Sequence, residues 1–281
     1  MKGTLYVVAT PIGNLGDMSL RAVATLKNVD LIAAEDTRVT GHLLTHFSIQ
    51  TKMLRLHEHN EKAQTENLCA LLQQGKSIAL VTDAGTPAIS DPGAWLVRTA
   101  HDLGIQVSPI PGANAAISAL SAAGAASSQF LFYGFLPPKS AARQKALQEF
   151  IDLPYTLIFY EAPHRMIETV ADLTRVLGAQ RRLTIARELS KIYETIHPCK
   201  LGDAEQWLRQ DQNRLKGEFV LIIEAAEQAP IGVSEDVQAV LKQMLEFMPL
   251  SQAVAFISQL VGIKKNALYE LALSLKNKDA S

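Results

Sequence analysis

The chain has 281 residues, 48% hydrophobic and 20% charged, with a formal net charge of -1. That composition suits a globular protein with a full core, and the length suggests two domains, with room for an appendage. A near-neutral balance excludes a generally basic nucleic-acid binder, so an RNA or DNA ligand would have to meet a local basic surface. Cys69 and Cys199 lie far apart and form no metal-ligand spacing, which excludes a disulfide framework and suits a reducing compartment. The amino terminus runs almost directly into Leu5-Tyr6-Val7-Val8-Ala9 without the parts of a signal peptide, and no apolar run reaches membrane-spanning length. The expectation is a cytoplasmic protein with no membrane partner.

In chain order, Leu5 to Ala9 reads as a strand ending in Thr10-Pro11-Ile12-Gly13-Asn14-Leu15. Ser19 or Asp17 caps a helical pattern through Leu20, Val23, Ala24 and Leu26. Leu31 to Ala34 is the next strand, and it ends in Glu35-Asp36-Thr37-Arg38. A helix near Thr40 to Phe47, a strand ending in His57-Glu58-His59-Asn60 and a helix to Gln74 follow. The branched apolar run Ile78 to Val81 is too short for a buried helix and reads as a buried strand. It opens into a loop through Gly93 that is dense in Gly, Pro, Asp, Ser and Thr. An ordinary strand-to-helix connection is the bland alternative, but most such connections take only a few residues. A helix beginning near Ala94 and a strand from Ile105 to Ile110 lead into Pro111-Gly112-Ala113-Asn114-Ala115-Ala116.

This alternation predicts an α/β fold with a parallel-rich sheet covered by helices on both faces. In such a sheet, ligands sit beyond the carboxyl ends of the strands. Gly85 would let the backbone approach a ligand closely, while Thr86 and Pro87 stiffen the turn. The first strand is not followed by G-x-G-x-x-G and no Walker-type loop occurs, which argues against dinucleotide binding and triphosphate hydrolysis. From Ala113 to Ala126 nearly every residue is small, as a helix lying close to a sheet or to a flat ligand requires. Asn114 would cap that helix or face the ligand.

The second half resets the pattern. Phe130 to Phe135 is an aromatic strand, and Pro137-Pro138 marks a hinge or loop before a helix containing Arg143 and Lys145. Thr156 to Tyr160 is a strand ending in Glu161-Ala162-Pro163-His164-Arg165. Strands at Leu183 to Ala186 and Phe219 to Ile223 flank the polar stretch from Arg187 to Lys191, giving a second α/β domain with a mixed sheet. Gln228 to Gly232 reads as a linker, followed by helices over Val233–Met248, Ser251–Leu260 and Asn266–Leu275. The last two, joined through Gly262, Lys264 and Lys265, have the pattern of a helix-turn-helix, which could meet a phosphate backbone or serve as a small dimerisation element. The expected domains are residues 1–125, 126–227 and 228–281.

Polar clusters mark three strand ends: Glu35, Asp36 and Arg38; His57, Glu58 and His59; Glu161, His164 and Arg165. His57 and His59 share a strand face, but no third ligand stands at a diagnostic spacing, so no metal site is expected. Each cluster alone fits a structural cap; together they fit a wide polar cleft.

The ordered set Thr10-Pro11-Ile12-Gly13-Asn14-Leu15, Ala34-Glu35-Asp36-Thr37-Arg38, Asp83-Ala84-Gly85-Thr86-Pro87 through Ser90-Asp91-Pro92-Gly93, Pro111-Gly112, Phe159-Tyr160-Glu161, Arg187-Glu188-Leu189 and Lys216-Gly217-Glu218 carries a specific resemblance. It resembles the small-subunit ribosomal RNA methyltransferase branch of the tetrapyrrole methylase superfamily, over essentially the full chain. The resemblance implies two α/β domains with an S-adenosylmethionine cleft between them, a homodimer, and methylation of the ribose 2′-hydroxyl of a decoding-centre cytidine in 16S ribosomal RNA.

Carried over position by position, it implies cofactor contacts at Ile12, Asp83, Ala84, Gly85, Thr86, Ile89, Asn114, Ala115, Glu161 and Leu189. Tetrapyrrole methylases carry a more glycine-rich first loop and an acidic residue where Thr86 stands, a departure that counts against a porphyrin-type substrate. Ribose methylation calls for in-line positioning and a base or a cation near the hydroxyl. Glu35, His59 and Glu161 are candidate bases, and Arg38, Arg165 and Lys191 candidate holders of phosphate or alkoxide. Arg143, Lys145, Arg187, Lys264 and Lys265 are further candidates for phosphate. Tyr133 or Phe135 would stack on a splayed base, or pack in the core. A tetrapyrrole C-methylase and a non-enzymatic ribosome-binding factor are the alternatives.

Overall fold

The computed structural model describes residues 2–226, 235–263 and 265–278. The chain separates into two compact units, Met1–Ala226 and Glu227–Ser281. Within the first, β1 (Thr4–Val8), β2 (Leu31–Ala34), β3 (Met53–Arg55), β4 (Ile78–Val81) and β5 (Gln106–Ile110) form a parallel sheet in the order β3-β2-β4-β1-β5. Every residue of β4 is buried, which is why its sequence is continuously apolar instead of alternating.

Helices α1 (Leu20–Asn28) and α2 (Thr37–His46) cover one face of the sheet, with Leu26 and Leu44 buried against Val8, Ile32 and Ile110. On the other face lie α3 (Glu61–Gln73) and α4 (Ala94–Asp102), whose Leu68, Leu72 and Leu96 meet Leu5, Ile78 and Leu80. Of the two caps the sequence allowed for α1, Ser19 serves: its Oγ accepts from Ala22 N at 3.1 Å.

The second sheet is mixed. Its strands are β6 (Phe130–Phe135), β7 (Thr156–Glu161), β8 (Arg182–Arg187), β9 (Thr195–Lys200) and β10 (Phe219–Ile223), ordered β6-β7-β10-β8-β9, with only β6 and β7 parallel. The alanine-rich segment forms α5 (Ala115–Ala123), and Ala116 and Ala119 pack on Ile158, Ala186, Val220 and Ile222 of this sheet. Side chains this small bring the helix axis close to the strands. The opposite face carries α6 (Ser140–Gln148), α7 (Met166–Leu177) and α8 (Leu201–Arg209), which bury Leu147, Val170, Leu173 and Leu208.

The sequence reading passed over β9, an edge strand whose Pro198 interrupts any strand pattern; edge strands tolerate proline because no neighbour needs its N–H. The Pro137-Pro138 segment is a loop tied down from two sides, with Arg165 Nη2 donating to Leu136 O at 2.7 Å and Arg143 Nη1 to Pro138 O at 3.3 Å.

The second unit consists of α9 (Glu235–Phe247), α10 (Leu250–Val261) and α11 (Lys265–Lys278) around Leu241, Val254, Ile257 and Leu268. Gly262, at φ 71°, ends α10 in the left-handed conformation that favours glycine. Lys265 opens α11 and is exposed; Lys264 and the segment read as a linker lie outside the described residues. No described helix is long and apolar enough to cross a membrane.

Candidate active site

Parallel strands deliver all their following loops to one edge of the first sheet, and hydrogen bonds stitch three of those loops together. Thr10 N donates to Gly85 O at 2.9 Å and Gly85 N returns a bond to Thr10 O at 3.1 Å, joining the first loop to the central one. Thr86 Oγ1 donates to Ala113 O at 3.2 Å and accepts from Asn114 Nδ2 at 3.3 Å, joining the central loop to the last. Gly85 holds φ 87°, a conformation strained for any residue with a side chain. Asn114 both faces the site and caps α5, its Oδ1 accepting from Ile117 N at 3.1 Å.

Between these loops and the second sheet lies a cavity of about 320 Å³. Ile12, Ala84, Gly85, Thr86, Ile89, Asp91, Asn114 and Ala115 line one side. Phe135, Tyr160, Glu161, Leu189, Glu218 and Phe219 line the other. A second cavity of about 310 Å³ shares Ile12, Ala84 and Glu218 with the first. It is bounded further by Leu15, Val39, Thr40, His42, Asp83 and Lys191.

Three carboxylates reach the main cavity, and two are engaged. Glu161, 3% exposed, accepts from Thr169 Oγ1 at 2.6 Å and Ala162 N at 2.7 Å, and lies 3.1 Å from Arg165 Nε. Glu218 pairs with Lys191 at 2.8 Å, and Lys191 also meets Glu188 at 3.0 Å. Burial alone would depress the Lys191 ammonium, but the bonds from Glu218 and Glu188 outweigh it and raise its pKa. The stem of Lys191 crosses Gly13: a Cβ there would stand 2.5 Å from Lys191 Cγ. Lys191 is thus a clamp from the second sheet onto the first loop.

Asp91 is the third, and it has no ion-pair partner among the described residues. Burial pushes its pKa up to about 6, helped by the charges of Glu35 and Asp83 and opposed by the nearby Thr82 hydroxyl, whose proton goes to Glu35. Glu35 stands behind it, accepting from the Thr82 hydroxyl and, at 3.3 Å, from Asp83 N. Desolvation raises Asp83 as well, and Glu35 and Asp36 add to the shift while a bond from Asp36 N and the charge of Arg38 oppose it. Arg38 closes on Asp36 at 2.6 Å and holds that carboxyl well below the usual range.

Every residue expected to touch a cofactor lines the main cavity except Asp83, which lines the adjoining one. Glu35 belongs to the acidic cluster without lining either cavity. Arg38 is turned to its own Asp36, and exposed His59 sits edge-on to His57 at 5.9 Å; neither lines a cavity.

Two candidate phosphate contacts are corrected by burial and a third by its inward partners. Arg143 is 0% exposed and lies 2.7 Å from Asp172, so it has no surface to offer a phosphate. Arg187 is 8% exposed and donates to Lys216 O at 2.7 Å. Arg165 is turned inward to Glu161 and the Leu136 carbonyl. Lys145 and Lys265 are exposed. Phe135 is 53% exposed and faces the cavity instead of a core, whereas Tyr133 packs edge-on against Phe150 and Phe159. Asp91, Tyr160 and Glu218 were missed as site residues; for Asp91 the only sequence signal was its place in Ser90-Asp91-Pro92-Gly93. Among the described residues, no three His, Cys, Asp or Glu side chains gather as a metal site would require.

Comparison with known proteins sets this geometry in context. Residues 4–205 match the family profile of tetrapyrrole (corrin/porphyrin) methylases, and residues 232–276 that of the RsmI C-terminal HTH domain. The chain is 50% identical over 272 residues to the ribosomal RNA small subunit methyltransferase I of Escherichia coli O157:H7, covering 97% of this chain and 95% of the relative. The protein of that name from Pseudomonas aeruginosa is 48% identical, covering 98% and 99%. Among solved structures, the methyltransferase CobJ superposes with a TM-score of 0.59 at 16% identity, covering 82% of this chain and 97% of that one. The uroporphyrin-III-C-methyltransferase of Thermus thermophilus gives 0.55 at 18%, covering 84% and 99%; at such identities the likeness concerns the fold.

Proposed function

The chain belongs to the tetrapyrrole (corrin/porphyrin) methylase family, in the branch of the ribosomal RNA small subunit methyltransferases I, and on that premise we propose that it moves the methyl group of S-adenosylmethionine onto the ribose 2′-hydroxyl of a decoding-centre cytidine in 16S ribosomal RNA. The observation that carries this reading is the convergence of the first, central and last loops of the parallel sheet on one cavity, in a chain so similar to such enzymes along its whole length.

The cavity fits the donor. Ile12, Ile89, Leu189 and Phe219 offer apolar walls to a flat purine. Gly85 and the small Ala84 and Ala115 leave backbone within reach of polar atoms. S-adenosylmethionine supplies a methyl group on a cationic sulfur, already reactive, so the protein's task is alignment and proton removal. The adjoining cavity, with Leu15, Val39 and His42 on its walls, gives a splayed nucleotide a way to the shared boundary at Ile12 and Ala84. Lys191, with two carboxylates on its ammonium, holds the lobes together instead of binding phosphate. Exposed Lys145 and Lys265 remain for the RNA backbone.

The reading includes the assembled small subunit as substrate, a cytoplasmic location and a homodimer. Adjacent Ile192 and Tyr193, 94% and 71% exposed, offer apolar surface for self-association. The test is to incubate the protein with methyl-labelled S-adenosylmethionine and unmethylated small subunits, then digest the RNA. Label on the ribose of one cytidine is expected; label on a porphyrinogen and never on RNA would overturn the proposal.

A further inference from the structure

The cavity beside the main one has three features that nothing within the described chain accounts for. Leu15 and Val39 on its walls are 42% and 45% exposed, large apolar side chains left open to water. Thr40, 2% exposed, lines the same cavity, and its hydroxyl has no hydrogen-bond partner among the described residues. The helical threonines Thr25, Thr45 and Thr99 return their hydroxyls to the carbonyl four residues earlier, at 2.8, 2.8 and 2.9 Å. At Thr40 that carbonyl, Asp36 O, takes the backbone N–H at 3.0 Å and the hydroxyl is left over. The other threonines of the cavity spend their hydroxyls inside the protein, Thr10 on Thr82 O at 3.1 Å and Thr82 on Glu35. Thr65 and Thr156 also hold unbonded hydroxyls, but they line neither cavity. The third feature is Asp83, exposed on the cavity wall and without an ion-pair partner among the described residues. Its Oδ1 accepts from Asp36 N at 3.1 Å, and its Oδ2 accepts nothing among those residues. The charges of Glu35 and Asp36 stand beside it. Apart from His42, the basic residue of the cavity is Lys191, whose ammonium is already held by Glu188 and Glu218. Such a wall repels phosphate and favours a neutral group that carries hydrogen-bond donors.

We propose that this cavity seats the base of the acceptor nucleotide, and that Asp83 and Thr40 read it as cytosine. The assignment rests on the ribose reading above and extends it to the choice of base. Cytosine carries an amino group at N4 beside an acceptor at N3. Asp83 Oδ2 accepts from the amino group, as carboxylates do from cytosine, and the Thr40 hydroxyl donates to N3. A turn about Cα–Cβ, between the two rotamers open to a helical threonine, brings that hydroxyl to the base edge. Leu15 and Val39 cover the ring, as apolar side chains do around a base taken out of its stack. Uracil has an oxygen in place of the amino group, and it would meet the lone pairs of Asp83 with no proton between them. The ribose then lies at the boundary that both cavities share, at Ile12, Ala84 and Glu218, where donor methyl and acceptor hydroxyl can meet. A role on the base also explains why Asp83, alone of the expected cofactor contacts, lines the adjoining cavity.

The test measures kcat/KM on unmethylated small subunits carrying either cytidine or uridine at the acceptor position, with S-adenosylmethionine affinity followed by calorimetry. Wild type is expected to prefer cytidine by about 10–100-fold, the discrimination that a well-placed base contact supplies. The amide of Asp83→Asn can donate to the uracil oxygen as well as accept from the cytosine amino group, so the preference should shrink to about fivefold or less. Thr40→Val keeps the side-chain shape without the hydroxyl. It should lower kcat/KM about tenfold on both substrates and leave their ratio unchanged, because a hydroxyl pairs with N3 of either base. Thr40→Ser should recover most of that loss. Thr40→Val should melt no lower than wild type, since its hydroxyl has no bond to lose within the described fold. Unchanged S-adenosylmethionine affinity is expected throughout. A preference for cytidine that Asp83→Asn leaves intact would overturn the proposal, as would Thr40→Val with wild-type activity or a lowered melting temperature. So would weakened S-adenosylmethionine binding in Asp83→Asn, which marks a cofactor contact. Wild-type label landing away from ribose is a separate failure, of the ribose reading, and shows itself before any variant is made.

Discussion

Asp91 carries an ionised carboxylate at neutral pH against its surroundings, and folding stability should register the strain. Its folded pKa of about 6 lies above the 3.8 of a free aspartate, so folding favours the protonated form. The contribution is favourable below pH 3.8, declines as pH rises toward 6, and is lost above it. That difference corresponds to roughly 3 kcal/mol, which solvent screening of a partly exposed group reduces to about 1–2 kcal/mol. Asp91→Asn has no charge to confine and should melt several degrees above wild type at pH 7.5, with the gain shrinking toward pH 4. Equal melting temperatures at pH 7.5 would contradict the raised pKa.

At the scale of elements, α6 and α7 are joined through a buried ion pair that the sequence disguised as a surface cation. Arg143 of α6 lies 2.7 Å from Asp172 of α7, which also accepts from Ser140 at 3.0 Å and from Gln144 at 2.7 Å. Burial pushes the Asp172 carboxyl up, but the bonds from Gln144, Ser140 and Arg143 outweigh it and hold it below its ordinary value. That stability is therefore present at neutral pH and lost as pH falls through the carboxylate range. Asp172→Ala strands a buried guanidinium and should cost about 3–5 kcal/mol by denaturant unfolding; a loss under 1 kcal/mol would show that water reaches Arg143.

The same pair shows where sequence reading stops. Strand β4 was legible because full burial demands an unbroken apolar run, and α5 because close packing demands small residues. The three stitched loops were legible because glycine, proline and threonine announce tight backbone. Edge strand β9 was not, since half-exposed Thr-Ile-His-Pro-Cys-Lys carries no pattern. Nor were the roles of Arg143, Arg187 and Asp91. Whether an arginine is buried, or an aspartate left unpaired, depends on partners far away in the chain, and no local spacing encodes that.

At the scale of the molecule, the catalytic chemistry and the carboxyl-terminal helices belong to separate units. Every residue lining the main cavity precedes Ala226, and the hydrophobic clusters of both sheets are complete within Met1–Ala226. The three-helix unit has its own core around Leu241, Val254 and Leu268. With a net charge of only -1, the protein has no general field to draw in RNA, so affinity for RNA must come from local contacts added together. Joining two weak binding surfaces on one chain raises affinity without changing either, and the helical unit would act in this way if it touches RNA. A chain ending at Ala226 should therefore melt cooperatively and bind S-adenosylmethionine within about twofold of the full chain, since tethering affects only the partner that spans both units. Its KM for unmethylated small subunits should rise by about tenfold or more, the lower end of what tethering supplies, with kcat at saturation little changed. An unchanged KM would remove the helical unit from RNA recognition, and a lost cofactor affinity would mean that the first unit does not form its cavity alone.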